Sequence, residues 1–97
     1  MAYEIVWLPK AKKRYDEIID WLSENWTSRE IANFIIRTKE VLEIISHNPD
    51  LYRKSGKENV HEALITKHNL LLYRKKRNKV ELMTFFDTRQ NPAKKFK

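Results

Sequence analysis

Proton transfer near neutral pH falls, in the C-terminal half of this 97-residue chain, to two side chains, His61 and His68. His61 lies in the stretch Val60–Ile65 beside Glu62, and on a strand those two neighbours would point to opposite faces. His68 sits in Lys67-His68-Asn69, a run with the polarity of an exposed turn. The third histidine, His47, stands close to an expected helix C-terminus, where the helix dipole accounts for it. The three show no metal-ligand spacing, so neither a metal nor another cofactor is expected. The chain has no cysteine, which excludes a disulfide framework, a thiolate nucleophile and a Cys-based zinc site.

Cations surround these histidines. Lys67, Arg74, Lys75, Lys76, Arg77 and Lys79 cluster around two expected turns, and Lys94, Lys95 and Lys97 carry the same sign into the tail. The net charge of +7 is unevenly distributed. Residues 1–50 hold seven Lys/Arg against nine Asp/Glu, whereas residues 51–97 hold thirteen against four. Such asymmetry suggests a basic face for an anionic partner, either nucleic acid or an acidic protein segment.

The elements that must position these groups are legible from periodicity. Tyr3 to Leu8 is rich in β-branched and aromatic residues and reads as a strand. Pro9 stops it and suits the first turn of a helix, where its missing N–H is not needed. Ala11, Tyr15, Ile18, Ile19 and Leu22 then form one apolar helical face, with Lys12, Lys13, Asp16, Glu17 and Asp20 toward solvent. Thr27-Ser28-Arg29-Glu30 fits a capping box at the start of a second helix, and Trp26 and Ile31 stand at the positions of a hydrophobic staple. Its buried stripe is expected from Ile31, Phe34, Ile35, Val41, Leu42 and Ile45, with an end near Ser46–Asn48 because Pro49 cannot continue it. Two amphipathic helices so closely joined predict an antiparallel hairpin.

A polar connection from Asp50 to Asn59 follows. Val60–Ile65, Leu70–Arg74 and Lys79–Phe86 then read as strands joined by turns at Lys67-His68-Asn69 and Lys76-Arg77-Asn78. The last strand is apolar on both faces, as a central strand would be. Trp7, Trp21 and Trp26 are expected in core or hairpin packing, and Tyr73 as a core residue with a satisfied hydroxyl. The fold class is therefore α+β, in the order β-α-α-β-β-β, with a helical hairpin on one face of a mostly antiparallel four-stranded sheet. A single domain over residues 1–97 fits this length. No run approaches a membrane span and the N-terminus lacks the basic region of a signal peptide, so a cytoplasmic protein with no membrane partner is expected.

That order, at this length and charge, resembles the RelE/ParE superfamily of type II toxin–antitoxin toxins, with the ParE-like pattern favoured. The resemblance is carried by Phe85-Phe86-Asp87-Thr88-Arg89-Gln90-Asn91-Pro92, by Leu70-Leu71-Leu72-Tyr73-Arg74, and by the Asn48-Pro49 exit from the helical hairpin. It implies a growth-inhibiting toxin silenced by a cognate antitoxin with an acidic, amphipathic segment. ParE-like members bind DNA gyrase, whereas RelE-like members cleave messenger RNA on the ribosome without a metal. A third possibility is a basic nucleic-acid-binding module without toxicity.

Metal-free RNA cleavage by a 2′-hydroxyl needs a proton acceptor, a proton donor and cations that stabilise charge on phosphorus. Arg89 matches the family's strand-end arginine and could clamp a phosphate with its fork, unless Asp87 holds it instead. For a nuclease, the candidate catalytic residues are Arg89, offered by the resemblance, and His61, a substitute proton carrier, while the basic cluster offers Lys67, Arg74, Arg89, Lys94 and Lys95 as contacts to target or RNA. The family's other arginine falls at Leu70, and no tyrosine follows Arg89. That incomplete set favours a toxin that binds gyrase.

Overall fold

The computed structural model describes residues 2–56 and 59–91. Six elements follow in order: β1 (Glu4–Trp7), α1 (Pro9–Asn25), α2 (Ser28–His47), β2 (Val60–Thr66), β3 (Asn69–Lys76) and β4 (Lys79–Asp87). The expected class is present, an α+β fold in which both helices cover one face of a four-stranded sheet ordered β1-β4-β3-β2. β2, β3 and β4 are antiparallel neighbours, while β1 runs parallel to β4.

Local chemistry sets the element ends. Pro9 opens α1, and the Leu8 N–H bonds the Leu82 carbonyl at 3.1 Å, which ties the helix entrance to the sheet. At α2 the Glu30 carboxylate reaches back to the Thr27 N–H at 3.2 Å and accepts the Thr27 hydroxyl, the reciprocal cap that the sequence announces. The Thr27 hydroxyl in particular holds the Glu30 carboxyl below the usual carboxylate range. Both turns are tighter than expected: Lys67-His68 joins β2 to β3 and Arg77-Asn78 joins β3 to β4.

Register divides the sheet into two faces. Toward the helices stand the rows Ile5–Val80–Lys75, Trp7–Leu82–Tyr73–His61 and Phe85–Leu71–Ala63. The outer face carries Val6–Glu81–Arg74–Val60, Thr84–Leu72–Glu62 and Phe86–Leu70–Leu64. Simple alternation along β4 would place Phe85 on the outer face. A bulge prevents this: Leu72 pairs with Thr84 and Tyr73 with Leu82, leaving Met83 unopposed and reversing the alternation beyond it.

The core is the seam between the helices and the inner rows. Ala11, Phe34, Val41 and Ile45 meet Ala63, Leu71, Tyr73, Val80, Leu82 and Phe85, with Tyr15, Ile18, Ile19, Leu22 and Leu42 closing its margin. Trp7, Tyr15, Phe34 and Phe85 form one aromatic cluster with ring centroids 5.1–6.1 Å apart. Thr38 joins the buried stripe of α2 because its hydroxyl bonds the Phe34 carbonyl at 2.7 Å. Among the described residues no helix is long and apolar enough to cross a membrane.

Candidate functional site at the hairpin–sheet cleft

At the end of β4 the chain folds onto the β2–β3 turn. The Thr88 N–H bonds the His68 carbonyl at 3.0 Å, and the Thr88 hydroxyl bonds the Lys67 carbonyl at 3.1 Å. These bonds place Arg89 beside Lys67 and His68. The Arg89 fork closes on Asp87, Nε to Oδ1 at 3.0 Å and Nη2 to Oδ2 at 2.8 Å, and the Arg89 N–H adds a third bond at 2.9 Å. Hydrogen bonding from Arg89 is the largest cause holding the Asp87 carboxyl below its usual range, and the nearby His68 adds a smaller lowering.

Lys67, His68 and Arg89 lie on the sheet side of a cleft of about 570 Å³. Ile18, Leu22 and Phe34 line it from the helical hairpin and Phe85 from the inner face of the sheet, so its floor is apolar. Trp21 and Trp26 line the hairpin side and are about half exposed, at 47% and 55%. Only Trp7 joins the core cluster, because Trp21 lies beside the apolar stripe that ends at Leu22 and Trp26 lies beyond α1. The available signal was an indole off the periodic stripe.

Charges around the cleft are nearly balanced: Lys10, Arg14, Lys67 and Arg89 stand against Glu17, Glu30 and Asp87. Arg14 bonds Glu17 at 3.3 Å, as Arg89 does Asp87. An apolar floor, exposed indoles and a balanced rim suit a protein segment better than a polyanion.

The other candidate residues stand apart. His61 pairs with Tyr73 in register while Asp87 pairs with Asn69, so His61 lies four residues, or about 13 Å, along the sheet from the Arg89 end. It is 5% exposed, stacks on Tyr73 with ring centroids 5.4 Å apart, and has Nε2 3.8 Å from Asp50 Oδ1. The Tyr73 hydroxyl donates to the Pro49 carbonyl at 2.8 Å, and burial pushes its pKa upward, so it serves as a core anchor. Arg74 bonds Glu81 at 2.6 Å on the outer face, and Arg53 bonds the buried Glu62. Lys94 and Lys95 lie outside the described residues. No group of three or more His, Cys, Asp or Glu among the described residues could hold a metal.

Leu70 occupies the outer face between Leu64 and Phe86. Arg89 and His61 therefore do not converge on one reacting centre, and among the described residues the register neighbours of Leu70 on the outer face, Leu64 and Phe86, are neither proton carriers nor phosphate clamps.

The sequence matches the family described as the ParE toxin of the type II toxin–antitoxin system parDE over residues 5–92. No curated protein sequence matches the chain. Among solved structures, it is similar to a chain of the chromosomal ParDE toxin–antitoxin system from P. aeruginosa, with TM-score 0.74 and 15% identity over 89% of this chain and 96% of that one. A YoeB dimer structure from Staphylococcus aureus follows at TM-score 0.64 and 17% identity, covering 89% and 97% of the two chains. The E. coli DinJ–YafQ toxin–antitoxin complex matches at TM-score 0.58 and 7% identity over 90% and 93%. At these identities the likeness concerns the fold.

Proposed function

Because the chain belongs to the ParE toxin family of type II toxin–antitoxin systems, we propose that it inhibits growth by binding an essential protein, with DNA gyrase as the foremost candidate. The observation carrying this reading is the outer sheet face, where Leu64, Leu70 and Phe86 form an apolar row at the level of Arg89. Ribonucleolytic catalysis needs cations and proton carriers around one phosphate. His61 is instead buried on the opposite face, and Arg89 is engaged by Asp87.

A cognate antitoxin would silence the toxin from the cleft. An amphipathic segment could bury its apolar side against the half-buried Ile18 and Leu22 and the two exposed indoles, while its acidic side meets Lys67. The proposed place of action is the cytoplasm, where gyrase works.

The test is supercoiling by purified gyrase with the purified chain added. Inhibition is expected, with ribosome-bound messenger left intact. Unimpaired supercoiling beside cleaved messenger would replace this reading with that of a ribosome-dependent endoribonuclease, for which Lys67, His68 and Arg89, gathered at one end of the sheet, would be the residues to test.

A further inference from the structure

The tip of the β3–β4 hairpin carries positive charge that no acid answers among the described residues. Behind it, three cations are held. Arg53 bonds Glu62, Arg74 bonds Glu81 at 2.6 Å, and Lys75 bonds Asp50 at 3.2 Å. Lys76, Arg77 and Lys79 are exposed and make no side-chain hydrogen bond or ion pair with any described residue. Glu4, the register partner of Lys79 on β1, forms no ion pair with it.

The tip is also built against its own stability. Register sets Lys76 directly opposite Lys79 as the pair that closes the turn. Like charges so placed repel, and in a hydrogen-bonded pair their Cα atoms are only about 5.5 Å apart. Arg77, the first residue of the turn, has φ 58°, a left-handed conformation that glycine or asparagine adopts at lower cost. Three cations without a partner among the described residues thus occupy positions where neutral residues would serve the hairpin better.

We propose that this tip binds duplex DNA through its phosphate backbone, entering the major groove as a two-stranded ribbon. The major groove of B-DNA, about 12 Å wide, admits such a ribbon, so its cations can reach the phosphates beside it. The deep, narrow major groove of duplex RNA does not. An acidic protein segment fits less well because it needs apolar surface beside the charges. The large exposed hydrophobics among the described residues are Trp21, Trp26, Ile36, Ile44, Leu51 and Leu64, none of them on this hairpin. The inference does not depend on which target the toxin inhibits.

The experiment titrates the full chain onto a labelled DNA duplex of about two helical turns between about 50 and 200 mM salt. It is compared with the variant carrying Lys76→Ser, Arg77→Gly and Lys79→Thr. Each phosphate contact contributes about 0.9 to the slope of log affinity against log salt, so losing three should flatten it by about 2.7. Arg77→Lys should keep the slope, and Arg77→Gly alone should raise the melting temperature while flattening it. If the triple variant fails to fold, Lys76→Gln alone should flatten the slope by about 0.9. An unchanged slope in the folded variants overturns the proposal. So does equal binding of duplex RNA of the same length, or an equal loss of affinity for polyglutamate.

Discussion

Arg89 directs its whole fork at Asp87, two residues earlier, while their peptide backbone closes a turn against Lys67 and His68. Of the two partners its position offered, a phosphate or that carboxylate, the carboxylate is engaged in the structure, and an anion approaching Arg89 would compete with it. The pair also sets a pH dependence. Because the folded-state pKa of Asp87 is depressed, its contribution to stability is present above the unfolded-state pKa and is lost as pH falls through the lower folded value. Denaturant midpoints for the native chain and Asp87→Asn should therefore differ by a constant margin above about pH 5 and converge below it. A margin that widened on acidification would show that Asp87 gains nothing from Arg89. The pairing was legible in the sequence as an alternative, since Asp87 and Arg89 are two residues apart. The neighbourhood of Lys67 and His68 was not, because it depends on Thr88 bonding two carbonyls of a turn about twenty residues away.

At the level of elements, the periodic positions carried most of the information. The stripe Ala11, Tyr15, Ile18, Ile19 and Leu22 does face the core, and Thr27 and Glu30 do cap α2. β4 was harder to read, because its apolar residues on both faces conceal the bulge at Met83 that brings Phe85 inward. His61 shows the same limit. Its neighbour Glu62 is on the other face, as strand alternation required, but only strand pairing reveals that His61 faces inward in the row of Tyr73. Tyr73 joins elements more firmly than its apolar strand suggested, since its buried hydroxyl ties β3 to Pro49 at the exit from α2. Tyr73→Phe leaves that carbonyl without its donor and should cost about 1–3 kcal/mol in chemical denaturation. A cost near zero would mean that the α2 exit does not need this anchor.

Across the whole molecule, the two ends of the sheet have different characters. One end has the cleft, with an apolar floor, two exposed indoles and nearly balanced charge. The other has the β3–β4 tip, whose cations find no acid among the described residues. Charge counting along the sequence detected the excess in residues 51–97 but could not separate these ends, because Lys67 and Lys76 belong to opposite turns of the same pair of hairpins. Only the pairing of Arg53, Arg74, Lys75 and Arg89 with acids reveals which cations remain available.

The parallel pairing of Glu4–Trp7 with Lys79–Leu82 joins the first strand to the last. β4, which lies between β1 and β3, is also the last of the six elements to leave the ribosome. At about 5–20 residues per second, the nascent chain spends several seconds with β1 unpaired, and such long-range closure is slow after release as well. A chain ending at Asn78 should therefore lack cooperative thermal unfolding by circular dichroism, even though both helices are present. A sharp transition in that fragment would show that the helical hairpin folds without β4. An interrupted translation product that stops before β4 would then carry neither the sheet wall of the cleft nor the completed hairpin tip, so that the proposed binding surfaces would form only once β4 is made.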